Sequence, residues 1–154
     1  MGREPAALGI EAEPARRDLE AAADLFEAHT AEFLSLCQRE AGKTLLDSVL
    51  ELREAVDFLR YYASEARAKF TQPTLLPGPT GELNQLRLRG RGVFACISPW
   101  NFPMAIPAWK IAPALAYGNC VVFKPSELVP GCAWALADGR RRCVWNPSRA
   151  CLGW

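Results

Sequence analysis

Two unbroken apolar runs, Val93–Ile97 and Cys120–Phe123, stand on either side of one helix-length segment, residues 98–119. Runs of this length without polar alternation belong to strands that expect cover on both faces. Parallel strands cannot be joined by a tight turn and need a crossover of about a dozen residues or more. Met104 to Tyr117 supplies such a crossover helix, closed by the Gly118-Asn119 stop, although Pro107 and Pro113 are expected to kink it. The arrangement predicted is a βαβ unit in a parallel sheet with both faces covered.

Upstream, Leu19, Ala22, Ala23, Phe26, Phe33, Leu34 and Cys37 recur at three- and four-residue steps, which predicts one amphipathic helix from about Ala15 to Ala41. Gly42 closes it as a left-handed cap, and a second helical pattern runs from about Leu45 to Phe70. Thr71 to Gly81 holds three prolines and two glycines and reads as a connecting loop. Leu83 to Leu88 is a short strand candidate with exposed arginines. The expected organisation is α/β: a flexible N-terminus over residues 1–14, a helical pair followed by part of a Rossmann-like parallel sheet over 15–138, and an aperiodic tail over 139–154.

Composition narrows the function classes. Eighteen Lys plus Arg against seventeen Asp plus Glu leave a net charge of +1, which argues against a nucleic-acid partner recognised through bulk charge. The weakly charged stretch Pro99 to Phe123 is broken by Lys110 and four prolines, so no membrane span is expected. The charged N-terminus lacks an apolar signal core, which predicts a cytoplasmic chain with reduced cysteines. The six cysteines follow no paired metal-ligand spacing, and with the single histidine His29 no metal site is expected. Cys96 and Cys120 read as buried small hydrophobes. Three adjacent arginines after Gly139 read as a solvated tail.

Ligands of open parallel sheets bind outside the carboxyl ends of the strands. Two segments occupy that position: Ser98-Pro99-Trp100-Asn101-Phe102-Pro103 and Lys124-Pro125-Ser126-Glu127. A strand-end Asn can aim an amide donor at a developing oxyanion, and a Lys with Glu three residues later can grip adjacent ribose hydroxyls. The competing reading makes Asn101 a helix cap and leaves Lys124 in solvent. Gly42-Lys43-Thr44 suggests a phosphate loop, but Cys37 stands where that motif needs its first glycine, and a helix precedes it. The chain has no Gly-x-Gly-x-x-Gly.

The run Pro99-Trp100-Asn101-Phe102-Pro103, with Ala108-Trp109-Lys110, Pro113-Ala114-Leu115-Ala116, Gly118-Asn119 and Lys124-Pro125-Ser126-Glu127-Leu128-Val129-Pro130, resembles the aldehyde dehydrogenase superfamily over about Ala15 to Asp138. The resemblance implies NAD or NADP as cofactor, a small-molecule aldehyde as substrate, and a homo-oligomer for the intact enzyme. It implies that Asn101 stabilises the oxyanion, that Lys124 and Glu127 hold the adenosine ribose, and that Ile97, Ser98, Pro99 and Trp100 line the cofactor cleft. It places Lys110 near the catalytic centre. Glu40 to Thr44, Val56 to Ala63 and Leu76 to Glu82 look like the glutamate-semialdehyde dehydrogenase part of bifunctional proline-utilisation proteins. Met104 to Lys110 and Val122 to Pro130 look more like a 2-oxoglutarate-semialdehyde dehydrogenase. In the resembled family the nucleophilic cysteine, the base glutamate and a Gly-Ser-Thr turn follow further downstream, and none of Cys132, Cys143 or Cys151 stands in a matching motif. Two classes follow: a semialdehyde dehydrogenase segment inactive alone, and a non-catalytic cofactor-binding or interaction fragment.

Overall fold

The structure, a computed structural model, describes residues 12–70, 72–142 and 150–152. Its elements in chain order are α1 (Ala12–Ala28), α2 (Thr30–Ala41), α3 (Leu45–Phe70), β1 (Thr74–Leu76), β2 (Asn84–Leu86), β3 (Val93–Ile97), α4 (Ala105–Ala116), β4 (Cys120–Lys124), α5 (Pro130–Arg142) and β5 (Ala150–Leu152). The readings placed on residues 1–11, 71, 143–149, 153 and 154, Cys143 among them, lie outside the described residues.

The periodicity upstream does its work by burial. Leu19, Ala22, Ala23 and Phe26 of α1 and Leu52, Ala55, Val56, Leu59, Ala63 and Ala66 of α3 are buried in one continuous core. The single helix expected from Ala15 to Ala41 is instead divided at His29, whose φ of −104° and ψ of 24° leave the helical basin. The break is held locally. The Thr30 hydroxyl donates to the Glu27 carbonyl at 2.7 Å, and Phe26 packs on Phe33 across the corner with ring centroids 4.7 Å apart. A straight helix cannot bring those two rings, seven residues apart, onto each other at this corner while both α1 and α2 follow the core. At its other end α1 starts at Ala12, ahead of the expected boundary at residue 15, with Pro14 in the first turn where a missing N–H costs no helical bond.

The stretch read as a connecting loop contains β1, which pairs antiparallel with β2. The strand candidate Leu83–Leu88 contracts to Asn84–Leu86. This hairpin stands away from the core, with every residue of β1 exposed.

The parallel unit forms as its apolar runs require. β3 and β4 pair in parallel, with Val93 opposite Cys120 and Ile97 opposite Lys124, and β5 adds in parallel to β4. Pro113 sits inside α4, while Pro107 falls in the first turn. The helix closes with Gly118 N–H donating to the Leu115 carbonyl and Asn119 N–H to the Ala114 carbonyl, the paired bonds of a Schellman motif. α5 runs through Gly139, and β5 forms beyond it, over residues in which the sequence shows no period. Helix packing through Cys132, Ala133, Leu136 and Ala137 carries the first, and the ladder offered by β4 carries the second.

The expected cover on both faces is absent among the described residues. Cys96, Val121 and Phe123 are buried on one face, while Val93 and Ile97 on the other are 70% and 62% exposed. The cause is topological. The crossovers step the same way, β3 to β4 to β5. Two right-handed crossovers stepping in one direction put their helices on the same side of a sheet.

The amino ends of β3 and β4 are tied by one side chain. Buried Asn119 accepts from the Arg91 and Gly92 N–H groups at 2.5 and 3.1 Å. Asn119→Ala is expected to lower stability by about 1–3 kcal/mol, because two part-buried hydrogen bonds, each worth about 0.5–1.5 kcal/mol, are lost. A urea melt of both chains that gave equal midpoints would refute this.

Candidate active-site segment

Both strand-end turns leave the same end of the sheet, since Ile97 and Lys124 are register partners. Ser98 N–H extends the ladder by one bond to the Lys124 carbonyl at 3.1 Å, and Pro99, lacking an N–H, ends it. Ile97, Pro99, Trp100 and Asn101 then lie exposed at the strand end, whereas Ser98 is buried. The Ser98 hydroxyl has no hydrogen-bond partner among the described residues.

Asn101 does not cap α4. The cap position is Met104, and its work is done by a residue fifty-three positions earlier: the buried Glu51 carboxylate on α3 accepts from Met104 N–H at 2.7 Å and Ala105 N–H at 3.2 Å. Lys43 Nζ meets the other Glu51 oxygen at 2.6 Å, so the carboxylate is paired as well as hydrogen-bonded. The Asn101 side chain is thereby left for another partner. Lys110, half-buried on α4, donates to the Ile97 carbonyl at 2.5 Å and so fixes the strand end from beneath.

A second internal carboxylate repeats the arrangement one crossover later. Glu40 of α2 accepts from Gly131 N–H at 2.9 Å and Cys132 N–H at 2.8 Å at the start of α5. The two helix N-termini where a dinucleotide fold would place a phosphate are therefore both filled by the chain's own anions. A phosphate reading of Gly42-Lys43-Thr44 fails for the same reason: Lys43 is committed to Glu51 and is 11% exposed.

Lys124 and Glu127 flank Pro125 and Ser126, and their charged ends stand 3.3 Å apart, 53% and 80% exposed. The Ser126 hydroxyl accepts from Leu128 N–H at 3.3 Å and shapes the turn. An ammonium donor beside a carboxylate acceptor suits a vicinal diol, which needs both. The pattern of Lys and Glu three residues apart was legible in the sequence; Glu51 and Glu40 were not, because each acts on a helix far along the chain. Also unanticipated is the stack of Phe58 on half-exposed Trp109, with centroids 6.3 Å apart, beside Lys110.

The free cysteines whose side chains are described are Cys37, Cys96, Cys120 and Cys132. Burial pushes the Cys96 thiol up against the opposing pull of Lys110. Hydrogen bonding with Cys37 and then burial push Cys132 far up. Cys120 lies half-buried at the amino end of β4, the opposite end of the sheet from Asn101. Among the described residues no group of three or more His, Cys, Asp or Glu is placed to hold a metal ion. No described helix is long and apolar enough to cross a membrane.

The Glu127 carboxyl is held below its ordinary value by its own backbone N–H and then by Lys124. The pairing is therefore complete above the ordinary carboxylate range and is lost as pH falls through the lowered value. Lys124→Met is expected to move the Glu127 titration midpoint upward without reaching the ordinary value, since the backbone donor remains. Following the Glu127 carboxyl carbon by NMR across acid pH checks it, and an unmoved midpoint contradicts the pairing.

Comparison with known proteins agrees with this fold. The model of the aldehyde dehydrogenase family matches residues 10–143. The bifunctional protein PutA of Klebsiella aerogenes is 45% identical over 112 residues, covering 73% of this chain and 8% of that protein. An alpha-ketoglutaric semialdehyde dehydrogenase of Bacillus subtilis is 43% identical over 119 residues, covering 75% of this chain and 24% of the enzyme. A solved variant of Bradyrhizobium japonicum proline utilization A superposes with a TM-score of 0.90 at 47% identity, over 94% of this chain and 15% of that one. The chain thus spans 8% and 24% of the lengths of these two curated relatives. With a family match across most of its length and the same fold in a relative of this identity, the chain belongs to the aldehyde dehydrogenase family.

Proposed function

We propose that this chain supplies the oxyanion-donor and cofactor-ribose segment of an NAD(P)-dependent aldehyde dehydrogenase that oxidises a semialdehyde to a carboxylate. L-glutamate γ-semialdehyde, giving glutamate in proline catabolism, is the substrate of first choice; 2-oxoglutarate semialdehyde is the second. The observation that carries the reading is the pair of strand-end turns: Asn101 released from capping by Glu51, and the exposed Lys124–Glu127 pair leaving the same end of the sheet. The relatives named PutA and alpha-ketoglutaric semialdehyde dehydrogenase support the two substrates in that order.

When bound, NAD or NADP supplies the hydride acceptor for the oxidation. This chain's residues do the rest of what it can do. Asn101 Nδ2 donates to the aldehyde oxygen as it gains charge, Lys124 donates to and Glu127 accepts from the ribose hydroxyls, and Ile97 to Trp100 wall the cleft. Lys110 holds the Ile97 carbonyl and with it the end of β3. Aldehyde oxidation of this kind starts from a thiolate, and the four cysteines whose side chains are described do not provide one: Cys96 and Cys132 are buried with their thiols pushed up, Cys37 is buried, and Cys120 is at the far end of the sheet. Among the side chains described, the cofactor-cleft segment accordingly carries no thiolate nucleophile. The intact enzyme is a cytoplasmic homo-oligomer on this reading. The exposed leucines Leu75, Leu76, Leu83, Leu86 and Leu88 around the β1–β2 hairpin support an association surface.

Two outcomes are expected. The purified chain given NAD or NADP and either semialdehyde produces no reduced cofactor above a protein-free control; activity that tracks the protein through a second column would defeat this. In an enzyme completed by joining a whole downstream half of the family, Asn101→Ala lowers kcat by about a hundred- to a thousand-fold. Lys124→Ala or Glu127→Ala there raises mainly the cofactor KM, since ribose contacts are alike in the ground and transition states. Full turnover in Asn101→Ala together with its loss in Lys124→Ala at saturating cofactor would reverse the two roles.

A further inference from the structure

We propose that Lys43 is a positioning residue for the Asn101 turn, acting through a clamp formed by the Phe102 ring, the Lys43 ammonium and the Glu51 carboxylate. The importance of the turn rests on the role given to Asn101 above; the clamp itself does not.

The Gly42-Lys43-Thr44 segment is the whole connection between α2 and α3. Gly42 adopts φ of 65°, a left-handed conformation that costs a side chain little only when there is none, and it turns the chain sharply off α2. Thr44 then starts α3, its hydroxyl accepting from Asp47 N–H at 3.1 Å and donating to the Asp47 carboxylate at 2.6 Å. The residue between them is left pointing into the molecule. Lys43 is only 11% exposed, its Nζ lies 2.6 Å from Glu51, and the same nitrogen sits 4.1 Å from the centroid of the Phe102 ring.

Neutralising a buried carboxylate explains the first contact but not the second. Phe102 directly follows Asn101 and, 39% exposed, stands outside the buried core. An ammonium drawn to the ring face by its quadrupole accounts for the contact. The turn is thereby fastened twice, once from α3 and once from the connection that precedes it. Glu51 holds its carboxyl side by the Met104 and Ala105 N–H groups, and Lys43 holds its middle by Phe102. On the amino side, Ser98 N–H is bonded to the Lys124 carbonyl. Asn101 lies between these anchors in a segment that otherwise faces solvent.

The test is NMR of the isotope-labelled chain with neither cofactor nor aldehyde present, so its result is independent of whether Asn101 serves an oxyanion. In the unaltered chain the Lys43 ε-methylene protons are expected upfield, shifted by the Phe102 ring, and the Trp100 to Phe102 amides ordered, with S² near about 0.85. Phe102→Leu abolishes the upfield shift and lowers S² at Trp100 and Asn101 below about 0.6, while Met104 and Ala105 stay ordered because Glu51 is untouched. Lys43→Met lowers S² over the same turn, and Lys43→Arg, which can still stack and pair, restores it. Should Lys43→Met fail to fold, having left Glu51 buried without its partner, Phe102→Leu decides alone. The clamp is overturned by an unshifted Lys43 methylene, by order at Trp100 and Asn101 that is unchanged in Phe102→Leu, by a loss of order shared equally with β3, or by failure of Lys43→Arg to restore it.

Discussion

A carboxylate with no access to solvent holds this fold together. Glu51 sits wholly buried on α3, and a charge in that position is costly unless each of its oxygens is engaged. Here one oxygen takes the N–H groups of the cap residue Met104 and of Ala105, the first residue of α4, and the other takes Lys43. The helical layer and the βαβ layer are therefore joined by a polar contact inside an otherwise apolar core. α3 and α4 cannot slide on each other without orphaning two amides and an ammonium together. Apolar packing between the same helices fixes their distance, but the carboxylate fixes their register.

Glu40 repeats the device at α5, and the repetition changes how a nucleotide can be held. A common dinucleotide fold leaves the helix after its first strand open at the amino end, with glycines that let a pyrophosphate approach. Both crossover helices here have that end closed by an internal anion. The missing Gly-x-Gly-x-x-Gly is then no deficiency, because no phosphate is expected at those positions. On the proposed function, recognition falls to the strand-end side chains, where Lys124 and Glu127 present a donor and an acceptor in the open.

What was legible in the sequence is what local physics decides. The apolar runs at Val93 and Cys120 became register-paired parallel strands, the left-handed cap at Gly42 is present, and the turn residues after each strand lie where strand ends put them. What was not legible depends on partners distant in the chain. The corner at His29 comes from Phe26 meeting Phe33, residues that continue the same helical period and so give no sign of a break. β1 hides in a proline-rich stretch because a two-stranded ribbon tolerates residues that a central strand would not. Asn101 was equally suited by its chemistry to capping or to donation, and only Glu51, fifty residues upstream, removes the first role. The open sheet face likewise follows from the direction of two crossovers, which single-strand hydrophobicity does not encode.

At the amino end of the sheet the chain is closed tightly: a Cβ placed on Gly90 would lie 2.4 Å from the Gly118 carbonyl oxygen. Backbone touches backbone there, and Asn119 stitches the same two loops together. No side chain can be added at Gly90 without pushing the two loops apart. The opposite end is built from exposed turns anchored at their edges. The two ends of the sheet therefore differ in what they can accept: a side chain added at Gly90 meets backbone, whereas the turns at the opposite end already hold theirs in the open.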